Sequence, residues 1–555
     1  MADRPIDSAP APLPSPFAPA YQAAPAPPLP APGEPAAPGD AGDPGAGGEP
    51  AAPVGPAGWS RADALLDVLG ARGMADADRF VRETRGRVRP PDVQDFFGAL
   101  APDPTLGGAD QAREARQRLG LPPELPGSLG AALAELEALA GAAPDGAPHH
   151  HLGALAAYTR RSLGICGACA EPSLPPWVDR ARLLQGQRAF MDRLLPAILA
   201  LLLKSLPEAY SAARPASVLV LSRTLALHPY HRLLGTLQLL VTVSTPFSFE
   251  GPYYPARVAA EQMRLLHAGV RSLVAPAMRE PVRAPIDRAE QGFVGPDYEL
   301  WPGYERFVRP DGRAEVTQVP VSQEDMLATV MAFSLLVVQG LERLRTPFAH
   351  DDAEAFYQVW RTFAVLMGIH PPGRPDDPSY VPATLAEADA FWQLYRRRHL
   401  AGPTRRTDGY VDRARRENAA GYALMSGHLH MLAHLLHHEL RWLGLGERAW
   451  MQVPRFYLER MGGEEGAARL GVPPARAGWL LELVLEDAPR LWAALWRRVD
   501  PGIHAAASRR FLAALIGQVY GRPLVYPIPH TAADLQRFVM DAPGQRAPGW
   551  IRQMD

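Results

Sequence analysis

The residue best suited to chemistry is His267, in the segment that runs from residue 257 to residue 276. Read as a helix, this segment has an apolar face made of Met263, His267, Val270 and Val274. Arg264 and Arg271 flank the histidine, and their charges favour a neutral imidazole. A neutral imidazole on an apolar helix face is what a haem iron requires of its proximal ligand, and the arginines could bind the propionates. The alternative is a core histidine that bonds a backbone carbonyl.

The opposite side of this helix is polar. It carries Glu261, Gln262 and Ser272, so we expect an amphipathic helix with His267 pointing into the protein. A buried imidazole is costly unless one of its nitrogens is satisfied, which is why its surroundings decide between a ligand and a structural residue.

A second set of histidines lies between Gly427 and Glu439, in the run GHLHMLAHLLHHE. His430, His434 and His438 recur every four residues, and His437 completes an HxxHH motif. Helical histidines at this spacing can share a metal ion. Membrane di-iron enzymes with such motifs need several of them, whereas this chain has one, so the pattern favours a histidine-rich amphipathic helix.

The composition excludes several classes of function. The 555 residues include 57 Lys and Arg and 59 Asp and Glu, so a formal charge of −2 offers no basic excess for nucleic acid or an anionic membrane. The two cysteines, Cys166 and Cys169, rule out a disulfide framework and form one CxxC, a redox pair or half of a zinc site. The start, MADRPIDSAPAPLP, lacks the pattern of a signal peptide, and the most apolar run, at 194–204, is too short to span a bilayer. We expect a soluble cytoplasmic protein without a transmembrane segment.

The chain divides into four regions. Residues 1–58 are rich in Pro, Ala and Gly, which predicts a disordered tail, and residues 59–150 predict a helical segment broken by proline-rich turns. Residues 151–460 show apolar recurrences near 3.6 and form the predicted helical core, and residues 461–555 return to helices. Strand signals are few, with ASVLVLS at 216–222 as the clearest, and 280–320 predicts a long loop. The predicted fold class is all-α.

Four stretches carry a recognisable pattern in this order: SLPEAY at 205–210 with HRLLGT at 231–236, RLLHAGVR at 264–271, PVSQEDMLATVMAF at 320–333, and YQVWRTFAVLMGI at 357–369. Together they resemble the latex clearing proteins (rubber oxygenases) and the related MpaB-type oxygenases. The resemblance covers roughly residues 185–375. It implies a globin-like helical core that encloses haem b.

The resemblance also implies roles for individual residues. His267 takes the place of the proximal iron ligand, and Arg271 that of the arginine one turn later. Arg232 and Thr236 match a distal arginine and threonine, and at i and i+4 they share a helix face. The chain departs from the family at Gly235, where rubber oxygenases have a lysine, and it has no Asp or Glu between residues 209 and 249 to serve as the family's proposed base. His228 and His231 are candidate replacements.

The element at 320–333 has its own local explanation. Ser322 is predicted to cap a helix, with Asp325 as its capping-box partner. Gln323 and Glu324 could orient the proximal histidine from a second layer of hydrogen bonds.

These expectations combine into a haem-b-dependent oxygenase that uses O₂ or peroxide on a lipophilic small molecule, isoprenoids being one such class. The alternatives are a haem-binding or redox-sensing protein without turnover, or a non-haem metalloprotein that uses the 430–438 histidines.

Overall fold

The computed structural model describes residues 65–84, 87–88, 90–100, 108–124, 128–143, 151–165, 171–221, 229–250, 254–277 and 319–476, short strands between 282 and 301, and a few positions from 485 to 513. The tail at 1–58 and the Cys166/Cys169 pair lie outside these residues. The predicted all-α class is confirmed.

Helices account for nearly all regular structure in the described part of the chain. Those before the His267 segment are α1 (Ala75–Thr84), α2 (Pro90–Leu100), α3 (Gly108–Arg118), α4 (Leu129–Ala142), α5 (Leu152–Ser162), α6 (Arg180–Met191), α7 (Leu194–Ala200), a π-helical turn (Leu201–Ser205), α8 (Leu206–Tyr210), α9 (Ala213–Leu221) and α10 (Pro229–Ser244). The helices that follow are α11 (Pro255–Ala277), α12 (Gln323–Phe333), α13 (Leu335–Arg343), α14 (His350–Leu366), α15 (Leu385–His399), α16 (Tyr410–Glu417), α17 (Ala419–Glu439), α18 (Glu447–Trp450) and α19 (Gln452–Arg469).

Two local predictions are wrong. The run expected as a strand at 216–222 is helical through residue 221, in α9, which packs against α17 through buried Ala216 and Val220. A short apolar run has no period that separates a strand from a buried helix, and here helical neighbours decide. The expected loop at 280–320 contains two antiparallel pairs, β1 (Val282–Pro285) with β4 (Asp297–Trp301), and β2 (Arg288–Ala289) with β3 (Gly292–Phe293).

The core is centred on α14, which crosses α6 at very short range. A Cβ atom at Gly186 would lie 2.3 Å from the carbonyl oxygen of Ala355, so only glycine permits this approach. Phe190 stacks on Phe356 beside that crossing, with ring centroids 5.3 Å apart. This core supports α11 from one side, because α14 also packs against α11.

One helical run among the described residues, Gln323–Arg343, is long and apolar enough to cross a membrane. The protein buries 89% of its apolar window, so the run is an internal helix pair of the core.

Candidate active site

Helix α11 holds His267 on the face that the sequence predicts. Met263, Val270 and Val274 on the same face are buried, and His267 itself is half-buried. Its Nδ1 atom is buried. The other ring nitrogen, Nε2, is the second position from which a neutral imidazole can bind a metal.

Two of the three polar residues opposite His267 on α11 are not on the surface, which corrects the expected amphipathic arrangement; Ser272 is half-buried. Glu261 and Gln262 are both buried. Glu261 accepts hydrogen bonds from Ser162 Oγ at 2.5 Å and from Arg264 at 3.1 Å. Full burial raises the pKa of the Glu261 carboxyl despite the positive charge of Arg264. Helical periodicity could not reveal this, because the covering residues come from distant parts of the chain.

Arg264 is buried at the centre of a charge cluster. Its guanidinium donates to Asp76 of α1, to Glu261 and to Ser162. Burial would raise the pKa of Asp76, but the charge and hydrogen bond of Arg264 outweigh it, and the net pKa is lowered. Although burial opposes its charge, these carboxylates also raise the pKa of Arg264, so the guanidinium stays protonated.

Arg271 forms a matching contact two helical turns further along. It bonds Asp78 of α1, at 3.0 Å from Nε, and donates to the carbonyls of Pro320 and Val321. Val321 has φ of 52°, a left-handed conformation that is unfavourable for a β-branched residue. Arg271 thus holds the strained turn that leads into α12. Because both guanidinium groups have carboxylate partners, their expected role as propionate anchors stays a prediction that requires these partners to be shared or displaced.

The distal candidates lie on α10, which packs directly against α11. Arg232 and Thr236 both fall within the helix at Pro229–Ser244, so their i, i+4 relation holds in the backbone. Thr236 is half-buried and Gly235 is buried, whereas the side chain of Arg232 lies outside the described residues, as does that of His231. His228 is likewise outside the described residues. The structure therefore brings the predicted distal helix beside the predicted proximal helix.

The carboxylate that most closely precedes this distal helix is Glu208. It forms a buried ion pair with Lys204 at 2.5 Å and accepts a hydrogen bond from the Trp392 indole at 3.1 Å. Lys204 belongs to the π-helical turn, a distortion that often marks functional sites. Sequence reasoning missed this pair because an isolated Lys and Glu four residues apart are most often a surface salt bridge.

The N-terminus of α12 confirms one prediction and corrects another. Ser322 and Asp325 form the expected capping box. Glu324, expected beside the proximal histidine, instead accepts a hydrogen bond from Arg398 Nε at 2.9 Å, and its Oε1 lies 2.7 Å from His399 Nε2. Gln323 donates to the carbonyls of Gly73 and Gly368. No spacing in the sequence could have paired Glu324 with residues about 75 positions later.

The second histidine set does not assemble into a metal centre among the residues that the structure describes. His430 and His437 bond the backbone carbonyls of Ser426 and Leu445, and His438 lies beside Glu439. The fully buried histidine of this helix is His428, and burial lowers its pKa to about 4.

The described structure is thus a helical fold in which a half-buried histidine, His267, shares its helix face with buried apolar residues. The family model described as "ER-bound oxygenase mpaB/B'/Rubber oxygenase, catalytic domain" matches residues 186–484, more than half of the chain. The chain therefore belongs to this oxygenase family. The solved structure of Latex Clearing Protein LCP in the closed state is similar to the chain at 20% sequence identity, covers 74% of this chain and 88% of that chain, and gives a TM-score of 0.40. No curated protein matches the sequence.

Proposed function

We propose that the chain is a haem-b-dependent oxygenase that uses O₂ or a peroxide on a lipophilic small molecule, with isoprenoids as the first class to test. The observation that carries the proposal is the placement of His267, in a chain of an oxygenase family. Its Nδ1 is buried while part of the residue stays accessible beside an apolar face. This arrangement fits a histidine that would hold a haem iron through a neutral imidazole presented from a fixed helix.

The residues around it would have distinct tasks. His267 would hold the iron, and the bound haem would supply the oxidising chemistry. The buried apolar residues of α10 and α12, such as Leu237 and Val330, would form the wall that excludes water and accepts a lipophilic substrate. Arg232 and Thr236, one turn apart on α10, would donate hydrogen bonds to developing negative charge on oxygen.

The test is a visible absorption spectrum of the purified protein, before and after addition of haemin. We expect a Soret band in the wild type, its loss in His267→Ala, and its retention in His430→Ala, which removes an exposed histidine of α17. Arg232→Leu should keep the Soret band but slow turnover. Retained folding of each variant is checked by circular dichroism. The proposal fails if the wild type shows no Soret band after reconstitution, or if His267→Ala binds haemin as tightly as the wild type.

A haem-binding protein without turnover is the second candidate, and a specific observation favours it. In the described structure Glu208 forms an ion pair with Lys204 and accepts a hydrogen bond from Trp392. The sequence has glycine at 235, where rubber oxygenases have a lysine. The sequence also has no Asp or Glu between residues 209 and 249, so a reaction that needs a carboxylate base from that segment lacks one. A single-turnover experiment with an alkene substrate separates the two candidates, because only the oxygenase yields an oxygenated product.

A further inference from the structure

Residues 66–78, which we call the strap, precede the family match at 186–484 yet run across its helices. The strap pairs with the turn into α12 through its backbone. The carbonyl of Gly70 accepts from the Val319 amide at 3.0 Å, and that of Arg72 accepts from the Gln323 amide at 2.8 Å. The strap is therefore attached to the core by main-chain bonds as well as by side chains.

Three aspartates of the strap contact three buried arginines of the matched region. Asp76 bonds Arg264, Asp78 bonds Arg271, and Asp67 bonds Arg398 at 2.9 Å. All three arginines are less than 8% exposed. Arginine cannot lose its charge, so each of these buried cations depends on a carboxylate partner.

Two of these contacts act on the His267 helix. Arg264 and Arg271 stand three residues before and four residues after His267, so they lie close to it on the same side of α11. Asp76 and Asp78 thus hold the helix from the two turns that bracket the histidine. Asp67 makes the same type of contact with Arg398 of α15, a helix that does not carry His267.

The strap backbone is closely packed at these contacts. A Cβ atom at Gly73 would lie 2.5 Å from Nε of Arg271, so the strap backbone runs directly against the guanidinium. Gly368, at φ of 99°, brings the end of α14 against Met74 of the strap in the same way. The strap therefore packs directly against the Arg271 side chain of α11.

We propose that Asp76 and Asp78 are positioning residues that fix the rotation and depth of α11, and through it the orientation of His267. The consequence for haem rests on the proposed function, whereas the geometric part does not. Supporting groups around a metal-binding histidine commonly change metal affinity about 10- to 100-fold when they are removed.

The experiment compares the full-length Asp76→Asn/Asp78→Asn variant with Asp67→Asn as a matched control. The first readout uses haem-free protein, in which diethyl pyrocarbonate modification of each histidine is followed by mass spectrometry. We expect the rate at His267 to change in the double variant, with the rate at His430 unchanged. Asp67→Asn should alter neither rate, although it breaks an equivalent buried contact.

The second readout is the haemin Kd, which should weaken about tenfold or more in the double variant and stay unchanged in Asp67→Asn. If the double variant does not fold, the Asp76→Asn and Asp78→Asn single variants take its place, and Asp78→Glu should restore wild-type labelling because it keeps the charge.

The proposal would be overturned if the labelling of His267 were unchanged in variants that lack both carboxylates, or if Asp67→Asn changed the labelling of His267 to the same extent. A tighter haemin Kd would also overturn it, because the aspartates would then compete with the propionates. If no variant and no wild type binds haemin, the proposed function fails while the labelling result still decides the positioning role.

Discussion

The buried contacts of Glu324 with Arg398 and His399 lead to a specific prediction about the free energy of unfolding. Glu324 is fully buried, and Glu324→Gln would remove the charge that two basic residues face. Removing one partner from a buried pair typically costs about 3–5 kcal/mol, because the remaining charge stays buried without compensation. Arg398 keeps a second partner, Asp67, so we expect the lower end of that range, about 3 kcal/mol at pH 7.

The pH dependence of this effect follows from the pKa of Glu324. Burial would raise that pKa, but His399 and Arg398 together lower it below 4.5 in the folded protein. A lowered folded pKa gives stability that is present above 4.5 and is lost as the pH falls through the folded pKa. The difference between wild type and Glu324→Gln should therefore shrink as the pH drops below 4.5.

Urea unfolding at a series of pH values measures this difference as a shift of the midpoint at constant slope. Glu342→Gln, which changes an exposed glutamate of α13, is the control and should leave the midpoint in place at every pH. The reasoning is refuted if Glu324→Gln unfolds at the wild-type urea concentration at pH 7, or if its deficit is the same at pH 7 and at pH 3.5.

Two further predictions follow. Burial raises the pKa of Glu261, so the stability that its protonated carboxyl gives the folded protein is fully present below 4.5 and is lost as the pH rises through the folded pKa. The free energy of unfolding of Glu261→Gln should therefore increase relative to that of the wild type between pH 4 and pH 8. A melting-temperature difference that moves the other way would show that pairing with Arg264 outweighs burial. Deletion of residues 1–56 should leave the melting temperature unchanged, since that segment has no apolar periodicity, whereas deletion of residues 1–78 removes the strap and should lower it strongly. Equal melting temperatures for the two truncations would contradict the structural role of the strap.

The features predicted well from the sequence are those set by local chemistry. The capping box at Ser322 and Asp325 is confirmed because its donors and acceptors lie within one turn. The helical class is confirmed because apolar periodicity extends over whole helices. The placement of Met263, Val270 and Val274 beside His267 follows from the same periodicity.

The failures share one physical cause, which is contact between residues far apart in the chain. Glu261 reads as a surface residue, but it is buried and accepts a hydrogen bond from Ser162 of α5, while Asp76 of α1 bonds its neighbour Arg264. The 216–222 run reads as a strand until α17 covers it. In both cases the burial of the segment is set by a helix that is distant in the sequence, so the local sequence pattern could not predict it.

The strap also bears on where the folding unit begins. A fragment of residues 186–484 would contain Arg264, Arg271 and Arg398 but none of the aspartates that pair with them in the described structure. Each uncompensated buried charge costs several kcal/mol, and a protein of ordinary stability has only about 5–15 kcal/mol in total. Arg264 and Arg398 would keep Glu261 and Glu324 in such a fragment, but Arg271 would lose Asp78. This one loss would take a large part of that stability, unless Arg271 moved to solvent and opened the packing around His267. The cooperative unit that holds His267 in place therefore extends to the strap, well before the residues that the family match covers.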